Sequence, residues 1–159
     1  MLFSLCQWIQ NTGFSIAVRE GALLYPIIGG IHILAIALFG GMLLAADVRL
    51  LGWGLMRRSV SDVVQQLRVW KYAGGVVVIV TGLLLAWAEP EKLYHSKAFW
   101  IKIALLVAVG IHAAVFRSKV YRNTAQLDQA LTLRAKLAGF LSLLLWGGII
   151  LSGRLIAFD

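Results

Sequence analysis

Polar residues interrupt this chain rarely, and they come in blocks. Between the blocks lie four long apolar stretches, at about 22–46, 72–88, 98–116 and 137–155. None alternates with a period of two, so none reads as a barrel strand. A helix needs about 20 apolar residues to cross the hydrocarbon. It also satisfies its own backbone groups where water is absent. The pattern therefore predicts four transmembrane helices. The first two carry no charge, the third carries Lys102 alone, and the fourth runs past Arg154. The second and fourth are short, and Trp70, Trp87, Lys136 and Arg154 mark their interfaces.

The polar blocks set a direction. Residues 47–71 carry Arg49, Arg57, Arg58, Arg68 and Lys71 against Asp47 and Asp62. Residues 117–136 carry Arg117, Lys119, Arg122, Arg134 and Lys136 against Asp128. The middle block, 89–97, is balanced. The positive-inside rule puts both basic blocks in the cytoplasm. Both termini and the middle block then face outward, which in a bacterium is the periplasm. Ahead of the first span, Leu2, Phe3, Leu5, Cys6, Trp8 and Ile9 interleave with Gln7, Gln10, Asn11 and Thr12. No basic n-region precedes them, so residues 2–18 read as an interfacial segment, its short helix ending near Gly13, rather than a signal peptide. Such a helix either lies on lipid or packs on the bundle. Residues 61–68 and 123–136 read as helical extensions into the spans that follow, with Ser59 and Ser61 as candidate caps. The expected fold is all-α, one transmembrane domain over residues 1–159. It is an up-down four-helix bundle with a short N-terminal interfacial helix and both termini periplasmic.

Composition agrees and narrows the class. Apolar residues make up 60% and charged residues 14%, against about 45–50% and 25% in soluble domains. A soluble chain of 159 residues has too much surface to hide that composition, and the mean hydropathy is +0.85. One cysteine, Cys6, excludes a disulfide scaffold and reads as an inert buried thiol. The net charge of +8 would suggest nucleic acid in a soluble protein. Here ten of the 15 basic residues fall in the two basic blocks. The charge is therefore topology against an anionic leaflet, not a nucleic-acid surface.

Few residues are left to carry chemistry. An ionisable residue inside a bilayer is costly and marks function by default. His32 lies in the first span, and His112 and Lys102 lie in the third. Counted from the outer ends, the two histidines lie roughly 15 and 20 Å deep, close enough to face each other across one cofactor. Ala104 and Ala108 on the His112 helix, with Gly29 and Gly40 near the His32 face, leave room for a flat ring. The candidate is haem iron held by His32 and His112. With no C-x-x-C-H motif the haem is b-type. The plainer reading of each histidine is a hydrogen bond to a neighbouring helix. Lys102 either snorkels to the outer interface or pairs with an anion such as a propionate, joined by Arg154. Asp47 and Arg49 stand at i and i+2 and do not share a helix face, so each reads as part of a structural latch. Scattered His, Cys and Met residues argue against zinc or copper sites. No nucleophile–base pair, P-loop or dinucleotide fingerprint is present.

Tyr25-Pro26, His32, Gly40-Gly41 and Asp47-Val48-Arg49-Leu50-Leu51-Gly52, followed by Thr81-Gly82 and Phe99-Trp100-Ile101-Lys102, form a recognisable series. The series resembles a family of small bacterial inner-membrane proteins of unknown function. More distantly, His32 with Arg49, and Trp100-x-Lys102 with His112, is similar to the haem-containing protoporphyrinogen oxidase and to copper-resistance D-type membrane proteins. The oxidase resemblance implies a histidine-bound b haem. Val48 stands where the oxidase pattern has a proline, so the resemblance bears on haem binding more than on any reaction.

The leading expectation is thus a membrane cytochrome b-like protein that transfers electrons. His32 and His112 are its axial ligands, and Lys102 with Arg154 holds its propionates. Its partners are lipid and either a quinone or a redox protein. A homo-oligomer or a larger membrane complex is left open, and His95 remains an alternative ligand. The competing expectations are a colourless accessory or assembly subunit, a porphyrinogen oxidase-like enzyme and, more weakly, a transporter.

Overall fold

The computed structural model describes residues 1–55, 57–117, 127 and 131–158. Eight α-helices are described: α1 (Leu2–Gln10), α2 (Gly13–Glu20), α3 (Leu24–Leu51), α4 (Val60–Gln66), α5 (Arg68–Ala88), α6 (Pro90–His95), α7 (Lys97–His112) and α8 (Leu133–Leu155). One π-helical turn, Ala113–Arg117, continues α7. Four helices are long and apolar enough to cross a membrane: α3, α5, α7 with its continuation to Val115, and α8. Their outer faces are the surface of a membrane protein. Ile33, Leu83 and Leu151 are each more than 60% exposed, at 69%, 64% and 67%, where water would leave a large unpaired apolar patch.

The spans follow the apolar stretches, and their ends follow local chemistry instead. α3 continues past the expected 46 to Leu51, because its stop signal is Gly52. Gly52 takes φ +77°, a left-handed conformation that glycine adopts without a Cβ clash. The Gly52 N–H donates to Arg49 O and the Trp53 N–H to Val48 O, the paired bonds of a Schellman stop. Of the two candidate caps, Ser59 starts α4 by accepting from the Asp62 N–H at 2.9 Å. Ser96 starts α7 in the same way, from Phe99 N–H. Thr132 starts α8, from Ala135 N–H. The expected extension over 123–136 lies for the most part outside the described residues.

Pairs across the interfaces show an up-down order. His32 meets Thr81, and Phe39 meets Gly74, so α3 and α5 run antiparallel. Asp47 meets Gly139 and Phe39 meets Trp146, so α8 runs antiparallel to α3. Lys102 meets Gly153 and Leu105 meets Gly148, so α7 and α8 run antiparallel too. α3 packs on both α5 and α8, and α8 packs on α7; α5 and α7 are not closely packed on each other. Leu50, Val60, Leu127 and Ala135 form a buried cluster where α3, α4 and the start of α8 meet.

The N-terminal region forms two helices: the first ends at Gln10, near the end expected at Gly13, and the second runs on to Glu20. Thr12 divides them, since its hydroxyl accepts from Ser15 N–H and caps α2. The pair packs onto the end of the bundle. Ser15, fully buried, donates to the carbonyls of Trp87 and Ala88, each at 3.1 Å. Arg19 also donates to Ala88 O. These carbonyls end α5 and have no intrahelical partner, so α2 supplies what the helix end lacks. Gln10 and Glu91 add a reciprocal pair: Gln10 Nε2 donates to Glu91 Oε2 at 3.0 Å, and Glu91 N–H to Gln10 Oε1 at 3.1 Å.

Candidate functional site

His32 projects from α3 onto α5. Its Nδ1 lies 2.7 Å from Thr81 Oγ1 on α5. The Thr81 hydroxyl donates to Val77 O at 2.6 Å, inside its own helix. A hydroxyl has one proton. When that proton goes to Val77 O, Thr81 accepts from His32 Nδ1–H and the lone pair falls on Nε2; in the other tautomer Thr81 donates to Nδ1. The ring edge rests on Gly82, where a Cβ would stand 3.1 Å from His32 Cε1. His32 is 9% exposed and Thr81 8%. Lys102 on α7 is near enough to act on His32 electrostatically. The Lys102 chain lies across α8: a Cβ on Gly153 would stand 3.4 Å from Nζ. Glycines 82 and 153 thus give the histidine and the lysine their places.

Arg154, next to Gly153, is exposed, and its guanidinium sits over the Phe158 ring at 5.2 Å. His112 stands apart from this group. It is buried, 5% exposed, at the last position of α7, directly before the π turn. It lines a cavity of about 320 Å³ with Phe39, Gly75, Ser142 and Trp146. Phe39 is seven residues past His32 on α3, about 10 Å deeper. Lys102 thus acts on His32 electrostatically, while His112 lines a cavity that neither of them lines. A second cavity, about 390 Å³, lies between α3 and α8 over Gly40, Gly41 and Gly147, with Asp47 at one end. Trp146 lines both cavities.

The remaining sequence candidates are placed elsewhere. His95 is exposed and stacks edge-on with Phe3 and Tyr94 at 5.4 and 5.3 Å. Cys6 is a half-buried free thiol in α1. Asp47 and Arg49 are both buried, at 1% and 5% exposed. Arg49 Nε donates to Arg58 O at 2.8 Å, which ties the end of α3 to the loop before α4. Gly29 and Gly40, expected beside the His32 face, have nothing within 4 Å of a Cβ. Among the described residues, no group of three or more His, Cys, Asp or Glu side chains could hold a bare metal ion.

Thr81 is the site residue that residue-by-residue reading missed. A signal for it existed, since His32 is eight residues into α3 and Thr81 seven before the end of α5. Equal depth on antiparallel neighbours brings such residues level.

Comparison with known proteins bears on the family. The match to a family of unknown function, DUF6644, covers residues 7–159. The chain belongs to that family. No curated protein and no solved structure matches it. The resemblance to a family of unknown function thus holds, and no likeness to the oxidase or the copper-resistance proteins is found.

Proposed function

We propose that this DUF6644 member is a multi-pass protein of a bacterial inner membrane that holds a b-type haem and transfers electrons. The two basic blocks face the cytoplasm, and the His32 end of the bundle faces outward. One observation carries the reading: His32 Nδ1 lies 2.7 Å from Thr81 Oγ1, and the tautomer in which Thr81 donates to Val77 O leaves the lone pair on Nε2. Histidines that bind metals are prepared in this way, with the second nitrogen's hydrogen bond fixing tautomer and ring orientation. An imidazole so prepared, inside an otherwise apolar span, suits an axial ligand of haem iron. Lys102, which acts on His32 electrostatically, supplies a cation for a propionate through a charge-assisted hydrogen bond. The loose seam between α5 and α7 offers a flat ring a way in from the lipid. Bound haem would supply a one-electron carrier. His112, about 10 Å deeper, is not part of this ligand set, and neither is Arg154.

The full chain, expressed with a haem precursor and purified in detergent, is expected to show a Soret band. His32→Ala should lose it, Lys102→Ala should weaken haem retention several-fold, and His112→Ala should keep the haem stoichiometry. Absence of the band in the wild type, or full haem in His32→Ala, overturns the proposal. A second reading has an observation of its own. Gly29, Gly30, Gly40 and Gly41 all leave α3 open, with nothing within 4 Å of a Cβ, and small residues let another helix approach closely in lipid. A colourless protein that co-purifies with one other membrane chain would favour that accessory role.

A further inference from the structure

The cavity beside His112 belongs to no part of the proposed haem site. At about 320 Å³ it falls at the small end of ligand pockets, which span about 300–1,000 Å³. That admits one or two fused rings and excludes a macrocycle. Its walls suit a flat ring. Phe39 and Trp146 meet edge to face, with centroids 5.3 Å apart. Gly75 keeps the α5 wall thin, since a Cβ there would stand 3.5 Å from the Phe39 ring. Aromatic side chains of this kind hold planar ligands by offset or edge contacts.

Polar groups reach this apolar space from three helices. His112 comes from α7 and Ser142 from α8, and both are buried, at 5% and 2% exposed. Lys71 and Tyr72 come from the start of α5. Imidazole, hydroxyl, phenol and ammonium can all donate hydrogen bonds. The cavity thus carries polar side chains on separate walls, set against a ring with acceptors at two edges.

The cavity also opens toward lipid. Tyr72 and Ile79, on its α5 wall, are 68% and 63% exposed, and α5 and α7 do not pack closely beside it. A ligand with a long apolar tail could leave the tail in the bilayer. The α7 backbone changes from α to π directly after His112, and π turns inside helices occur mostly at functional sites.

We propose that this cavity binds the headgroup of a lipid-soluble quinone, with the isoprenoid tail leaving between α5 and α7. A quinone combines a flat apolar ring, two opposed carbonyl acceptors and a tail that partitions into lipid. The inference names the electron partner of the proposed haem protein. It rests on that reading for its role in electron transfer, whereas binding stands on the cavity alone.

The test uses the full chain in lipid nanodiscs, titrated with decylubiquinone, with empty nanodiscs as the partition control. Saturable binding of one quinone per chain is expected. Gly75→Leu fills the cavity and should weaken binding at least tenfold. Ile79→Trp narrows the mouth from the lipid side; it should do the same, and it carries the test if Gly75→Leu does not fold. His32→Ala should bind decylubiquinone like the wild type although it lacks haem. Saturable binding by a colourless wild type supports the quinone site while removing the haem. Uptake equal to that of empty nanodiscs, or wild-type affinity in the folded variants, overturns the proposal.

Discussion

A histidine buried in lipid has two ring nitrogens to satisfy, and each needs a partner or a purpose. At His32 the first is accounted for by Thr81, and the haem reading takes the second as the one that keeps the lone pair. Thr81→Val keeps the shape and removes the hydroxyl. Interhelical hydrogen bonds in membranes are worth about 0.6 kcal/mol on average and about 1.7 at most. Equilibrium unfolding in detergent should therefore show a loss of about 1 kcal/mol, and Thr81→Ser should recover most of it. Unchanged stability in Thr81→Val would mean that the bond is not formed. The haem reading adds that Thr81→Val loosens haem retention, because the ring can then rotate away from its ligand orientation. His32, His112 and Lys102 were legible in the sequence because each is an ionisable residue in an apolar span. Their grouping was not legible. Depth counting brings the histidines to within about 5 Å of each other. The structure starts α3 at Leu24 and α7 at Lys97, so the histidines lie eight and fifteen residues in, about 10 Å apart in depth. Shifts of one or two residues at helix ends decide whether two side chains meet.

Helices in lipid lack the hydrophobic effect that drives packing in water, so close backbone approach replaces it. Gly139 shows this between α3 and α8. A Cβ there would stand 3.0 Å from the backbone oxygen of Asp47, with Leu50 Cβ at 3.3 Å. A backbone atom cannot swing aside as a side chain can. Gly139→Ala should therefore push the helices apart and cost about 1–3 kcal/mol, the usual range for overpacking. Unfolding midpoints check this, with Gly147→Ala as the control, since nothing lies within 4 Å of its Cβ. Equal midpoints for the two variants would refute the close contact. The sequence showed that glycines cluster on the spans but not which of them face a neighbour, because rotation about the helix axis is set by packing partners. The N-terminal region shows the same limit. Its interleaved pattern allowed either lipid contact or packing, and only the placement of Ser15 against the α5 carbonyls decides for packing.

The orientation proposed for the whole molecule rests on charge. Positive blocks stay on the cytoplasmic side because translocating Lys and Arg is unfavourable. In a Cys6→Ser background, Arg57→Cys should react with a membrane-impermeant maleimide only after the inner face is opened. Lys92→Cys should react in intact spheroplasts. The reverse pattern would invert the bundle and move the His32 site to the cytoplasmic half. The sequence by itself determined the class: four apolar stretches long enough to span, with almost nothing polar between their ends. That follows from composition and length alone, because hydrocarbon admits little else. The tertiary structure decided the order of neighbours, with α3 between α5 and α8 and a loose seam between α5 and α7. It also decided that Thr81 meets His32 while His112 opens on a cavity that His32 does not line. Those facts depend on helix rotation and on where each helix ends. Hydropathy is nearly blind to both, because all sides of these spans are apolar.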